Sequence, residues 1–208
     1  MAIRFKLNQT DQSVDVAPDM PLLWVIRETL GLRDRFVVGW VGSFRRFHAL
    51  DQAVDAVAGI DDAALLLVGD GPERNRVEQY AREQGVTVVT TGTVSHPDLP
   101  AHLAAMDVGL VLTGRDAVFH YSPLKLAEYL AAGLAVIAPA VSQIEARLTD
   151  GVDARLVPPG DTVALAHALH DLHDDPDARG RIAAAGRAAA QARFAWDQAI
   201  VAIQDHLA

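Results

Sequence analysis

The chain has 208 residues, 50% of them hydrophobic and 22% charged, with a mean hydropathy of +0.14. That is enough apolar material for one substantial core, and it is not the composition of a disordered chain. The absence of cysteine excludes disulfides, thiolate nucleophiles and cysteine-ligated clusters. A formal net charge of -9 argues against a nucleic-acid backbone as partner but leaves room for a small anion in a local cationic pocket.

Ile3, Phe5 and Leu7, then Val14 and Val16, alternate around the polar stretch Asn8 to Gln12, which predicts a β-hairpin. Pro18 to Pro21 reads as a loop opening a helix, whose apolar stripe Leu22, Leu23, Ile26 and Leu30 stops at Gly31. Residues 1–35 are therefore expected to form a hairpin-plus-helix appendage. From Phe36 the pattern changes to short apolar runs at 36–41, 64–68, 86–89, 108–112, 135–138 and 154–157. Helical stretches separate them at about 50–58, 73–84, 98–106, 123–132 and 142–148, and three more follow at 161–173, 177–193 and 196–207. Continuous apolar strands alternating with helices predict an α/β fold: a doubly wound, Rossmann-like parallel sheet of about six strands, helices on both faces. Such sheets bind ligands at the carboxyl ends of their strands. The alanine-rich run 183–190 predicts a helix face that packs closely on another helix. No apolar run approaches the ~20 residues that span a bilayer. The first eight residues lack the apolar stretch of a secretory signal, so a cytoplasmic address is expected.

Four landmarks fall at predicted strand ends or helix starts. Gly42 and Ser43 turn the chain after the first core strand, and Arg45, Arg46 and His48 follow; backbone close to a phosphate and cations to neutralise it fit that pattern. A basic solvated loop fits it too. Gly69-Asp70-Gly71-Pro72 reads as a tight turn shaping a cleft. Ser122 is an N-cap candidate, Pro123 suits the first helical position, and Gly133 closes that helix. Lys125 and Glu128, three apart on one face, suit an anion and a sugar diol respectively, or simply an exposed ion pair. Pro158-Pro159-Gly160-Asp161 reads as a turn with an Asp N-cap. His167, His170 and His173 recur on one helix and are read as a solvated face rather than a metal site. Trp40 and Trp196 are read as core or helix-docking residues.

Taken in order, these landmarks resemble the C-terminal domain of family-4 retaining glycosyltransferases of the GT-B type. The strongest pieces are Leu67 to Pro72, Lys125 to Gly133 followed by Val136-Ile137-Ala138, and Val157 to Asp161; Thr91 to Val94 before Leu99-Pro100 and the terminal Phe194-Ala195-Trp196 agree. The resemblance implies that residues 36–208 bind a nucleoside-diphosphate sugar as substrate, with no metal, no other cofactor and no protein nucleophile. It assigns the diphosphate to Gly42, Ser43, Arg45, Arg46, His48, Ser122, Leu124 and Lys125. It assigns the nucleotide ribose to Glu128 and a sugar contact to His120 and Tyr121. The chain departs from the family pattern at three places: His120 replaces the first glutamate of a pair, Ser43 an arginine, and His48-Ala49 a Lys-Gly. Lys125 then stands in for a lost cation.

In that family the acceptor is held by a second Rossmann domain, and only about 35 residues precede the first core strand here. The expectation is a donor-binding half, inactive alone, with a separate subunit or a second copy supplying any acceptor site. A non-catalytic nucleotide-sugar-binding module and a structural chimera are the other readings. Ile3 to Asn8 and Pro21 to Leu32 resemble the opening of the 2Fe-2S ferredoxin-like subunit of molybdenum hydroxylases. Without cysteine no Fe-S cluster is expected, and the chain reads as a fusion.

Overall fold

The computed structural model describes residues 2–7, 10–15, 27–28, 31–115 and 124–195. Strands β1 (Ala2–Leu7) and β2 (Thr10–Asp15) pair antiparallel with Leu7 opposite Thr10, which is the hairpin that the alternation predicts. The stripe Leu22, Leu23, Ile26 and Leu30 and the predicted helix 196–207 lie outside the described residues.

The six apolar runs become β3 (Phe36–Val41), β4 (Ala63–Val68), β5 (Val88–Thr90), β6 (Val108–Leu110), β7 (Ala135–Pro139) and β8 (Arg155–Val157). They form one sheet in the order β5-β4-β3-β6-β7-β8, and every pairing is parallel. Around it lie α1 (Asp51–Val57), α2 (Arg74–Glu83), α3 (Leu99–Ala104), α4 (Leu124–Ala132), α5 (Ser142–Glu145), α6 (Thr162–Asp174) and α7 (Pro176–Arg193). The central strands β3, β4, β6 and β7 are apolar because both faces are covered, while the edge strands β5 and β8 carry Thr90 and Arg155 and are only partly buried. Phe36, Val38, Trp40, Leu65 and Leu67 join a core layer with Val54 of α1, Val77 of α2 and Leu169 of α6. Val37, Ala64, Leu66 and Val68 join the other, with Leu103 of α3, Leu126 and Leu130 of α4, and Ala189 and Ala190 of α7.

Small residues set how closely the layers approach. Gly39 of β3 and Gly109 of β6 are register partners. A Cβ on them would lie 2.0 Å from Met106 Sδ and 2.7 Å from the Tyr129 ring, so the two glycines let those side chains lie flat on the sheet. On α7 a Cβ at Gly186 would fall 2.7 Å from both the Asp153 carbonyl oxygen and Leu130 Cδ2. The alanine-rich helix does pack tightly on α4, as its composition predicts. Asp161 and Asp175 cap α6 and α7, accepting from the amides of Ala164 at 2.9 Å and Ala178 at 2.8 Å.

Core packing begins before Phe36. Leu32 is wholly buried in the second layer. Arg27 donates to Asp107 Oδ2 at 2.8 Å and to the Ala105 carbonyl at 3.2 Å. Asp107 also accepts from the Val37 amide at 2.8 Å, so one carboxylate ties the incoming segment to the amino end of β3.

Candidate functional site

In this strand order the chain runs outward from β3 to β4 and β5, and in the other direction from β6 to β7 and β8. The loops after β3 and β6 therefore diverge and open a crevice at their carboxyl ends. The divergence leaves the Val41 amide without a β6 partner, and the Tyr129 hydroxyl oxygen accepts from it at 2.7 Å. Tyr129 is wholly buried, and burial holds its phenol protonated well above the ordinary tyrosine range.

Glycines shape one wall. Gly42, with φ +152°, donates to the Val68 carbonyl at 2.9 Å. Gly69, with φ +135°, donates to the Gly92 carbonyl at 3.0 Å, and a Cβ on it would sit 1.9 Å from the Gly42 carbonyl oxygen. The turns after β3, β4 and β5 thus stack backbone on backbone. Between them is an open cleft of about 320 Å³ lined by Val41, Val68, Val94 and Leu99 with polar Ser43, Asp70 and Ser95 at its edges. Sequence reasoning missed what braces this wall. Arg74 binds Glu78 at 2.8 Å, Thr90 at 2.9 Å and Asp70 at 3.4 Å, with its side chain 12% exposed. The i,i+4 spacing of Arg74 and Glu78 was a signal for the pair, but nothing local points to Thr90.

A single ammonium stands where Gly42 meets α4. Lys125 Nζ lies 4.4 Å from the Trp40 ring centroid, over its face, and a Cβ at Gly42 would be 3.1 Å from it. Burial lowers the Lys125 pKa to about 8, with the nearby Glu128 carboxylate opposing the shift. Lys125 and Glu128 form no ion pair, and both are half-buried on α4. His48 is buried, its ring 5.1 Å from Trp40, and burial and the Lys125 charge lower its pKa to about 4. It is neutral at pH 7 and supplies no positive charge.

The other expected site residues are distributed as follows. Ser43, Arg45 and Arg46 are exposed on the loop after β3, and Leu124 is exposed at the start of α4. His120, Tyr121 and Ser122 lie outside the described residues, as does Trp196. Trp40 is core, as expected, yet it also floors the cation site. Of the three histidines on α6, His167 is exposed, His170 packs over Gly59, and His173 bridges Asp62 and Asp174. Among the described residues no cluster of three metal-ligating side chains occurs, and no helix is long and apolar enough to cross a membrane.

A six-stranded parallel sheet with helices around it and a partly apolar cleft at its switch point defines a Rossmann-like α/β domain. Residues 35–175 match the family model described as glycosyl transferases group 1, and the chain belongs to that family. It is 32% identical over 159 residues to the 2-deoxystreptamine N-acetyl-D-glucosaminyltransferase of Streptomyces fradiae, an alignment covering 73% of this chain and 37% of the relative. Its fold matches Anabaena HepE, solved in complex with UDP, with a TM-score of 0.80 at 23% identity; 92% of this chain and 53% of HepE are covered. It also matches the C-terminal domain of the group 1 protein LpcC from Francisella tularensis, with a TM-score of 0.69 at 18% identity. There the match covers 86% of this chain and 94% of that domain. The chain spans roughly a third to a half of the length of the curated relatives it matches.

Proposed function

We propose that the chain is a donor-binding half of a retaining glycosyltransferase, holding a nucleoside-diphosphate sugar in the crevice. One observation carries this reading: Lys125 Nζ stands beside Gly42, at the rim of an apolar cleft in the crevice. A nucleoside-diphosphate sugar has the matching parts, a flat base whose faces suit apolar side chains and an anionic diphosphate. The base enters between Val68, Val94 and Leu99, and the diphosphate meets Lys125 and the amides near Gly42. Arg45 and Arg46 strengthen the local positive field from the exposed loop, and Glu128 accepts from the ribose hydroxyls. The UDP in the HepE complex supports a nucleotide of this kind.

Transfer proceeds by attack of an acceptor hydroxyl on the face the diphosphate leaves, and Lys125 stabilises the departing charge. The groups named here bind the donor. Holding the acceptor in line is worth roughly 7–11 kcal/mol of barrier, and it falls to a second domain, subunit or copy. The chain by itself is therefore expected to bind and not to turn over.

Calorimetric titration with UDP and uridine tests the site. Lys125→Ala removes a charge-assisted contact worth about 1.5–3 kcal/mol and brings the affinities of diphosphate and nucleoside together. Glu128→Gln weakens both ligands alike. Unchanged affinities in both variants would remove the assignment. Sugar transfer at ordinary enzymatic rates by this chain alone, followed by mass spectrometry, would overturn the division of labour.

A further inference from the structure

Lys125 is one of only two lysines in the chain, the other being Lys6; the other sixteen of the 18 Lys and Arg residues are arginines. Its ammonium lies over the face of Trp40, and that ring is fixed in place. Trp40 is wholly buried, with Phe44 edge-on at 5.5 Å between centroids and His48 at 5.1 Å. A Cβ at Gly42 would lie 3.0 Å from the ring's rim and 3.1 Å from Lys125 Nζ, so a larger residue there would push on ring and ammonium together. The negative face of the indole replaces part of the hydration that burial takes from the cation.

We propose that Trp40 is a positioning residue, whose ring holds the Lys125 ammonium at the Gly42 rim so that diphosphate affinity follows the protonation of one amine. The proposal rests on the donor-site reading above and adds the means by which its cation is placed and controlled. Among the described residues, the charged and titratable groups that act on Lys125 are Glu128, one turn along α4, and His48 from the turn after β3. Glu128 favours the ammonium. His48, lowered to about 4, is neutral across the range that matters and adds no competing charge. Lys125, lowered to about 8, loses its proton just above physiological pH, and the crevice loses its half-buried cation with it.

Two lysines allow a direct measurement on the full chain. With 13C-labelled lysine the spectrum carries two side-chain signals, and Lys125→Arg assigns one by deletion. In the unmodified chain the Lys125 ε-methylene protons are expected upfield of those of Lys6 through the indole ring current, with a titration midpoint near 8. Trp40→Leu removes the quadrupole and is expected to lower that midpoint by about 0.5–1.5 in pH, whereas Trp40→Phe restores most of it. UDP affinity is then followed from pH 7 to 9 against Lys125→Arg, whose guanidinium stays charged; the ratio cancels the ligand's own ionisation. Up to about a tenfold relative loss is expected over that range. A midpoint in the ordinary lysine range without the upfield shift overturns the proposal, and both are read on the unmodified chain once Lys125→Arg has assigned the signal. So does a Trp40→Leu loss of affinity that is equal at every pH. Failure of the unmodified chain to bind UDP at any pH overturns the donor-site reading instead, and the lysine titration still reports on Trp40.

Discussion

Gly69 and Gly42 show how far single residues control the crevice. At Gly69 the backbone has φ +135°, and an added Cβ would lie 1.9 Å from a carbonyl oxygen with no side chain to swing away. Gly69→Ala is expected to cost about 1–3 kcal/mol in backbone strain alone, read as a lower denaturation midpoint. Gly85 has a positive φ too, +71°, but nothing lies within 4 Å of its Cβ position, so Gly85→Ala should cost less. Both glycines have positive φ. Tertiary contact separates them, since only Gly69 is pressed against a neighbouring turn.

At the scale of elements, the carboxyl end of α6 is clasped to the turn before β4. His173 reaches Asp62 Oδ1 at 2.8 Å and Asp174 Oδ1 at 2.7 Å, and its ring packs edge-on against Phe36. The hydrogen bond to Asp174 is the largest effect and raises the histidine pKa; burial, next in size, opposes it, and the hydrogen bond to Asp62 adds to the rise. A raised folded-state pKa contributes stability that is fully present below the unfolded value near 6.5 and is lost as pH rises through the folded value. The melting temperature should therefore fall between pH 6 and pH 8 by more in the native chain than in His173→Gln, measured in parallel scans. Equal slopes would show that the clasp does not couple folding to protonation. The spacing of His167, His170 and His173 placed them on one helix, and a solvated face was the natural reading. What it does not show is the partner of His173: Asp62, 111 residues away, meets the ring in an exposed hydrogen bond. Strand and helix identities, by contrast, were legible: apolar runs covered on both faces leave little choice between a buried parallel strand and anything else.

For the whole molecule, the segment before the sheet is part of the core. Deleting residues 1–34 removes wholly buried Leu32 and strips Arg27 from Asp107. Loss of a buried leucine side chain alone costs about 2–5 kcal/mol, so the truncated chain should melt at a markedly lower temperature. An unchanged melting temperature would show that the sheet closes without that segment. The sequence by itself determined the alternation of strands and helices, the doubly wound class and the glycine turns at the strand ends, because periodicity and turn chemistry are local properties of the chain; the family was legible only through the resemblance of its ordered motifs. It also pointed to Lys125 and Glu128 through their shared helix face. Only the tertiary structure decided that Trp40 lies under Lys125, that His48 is buried and neutral, and that Arg74 braces the cleft through Thr90. Charge state and position in a crevice depend on which distant segments remove water from a side chain, and no spacing within one segment encodes that.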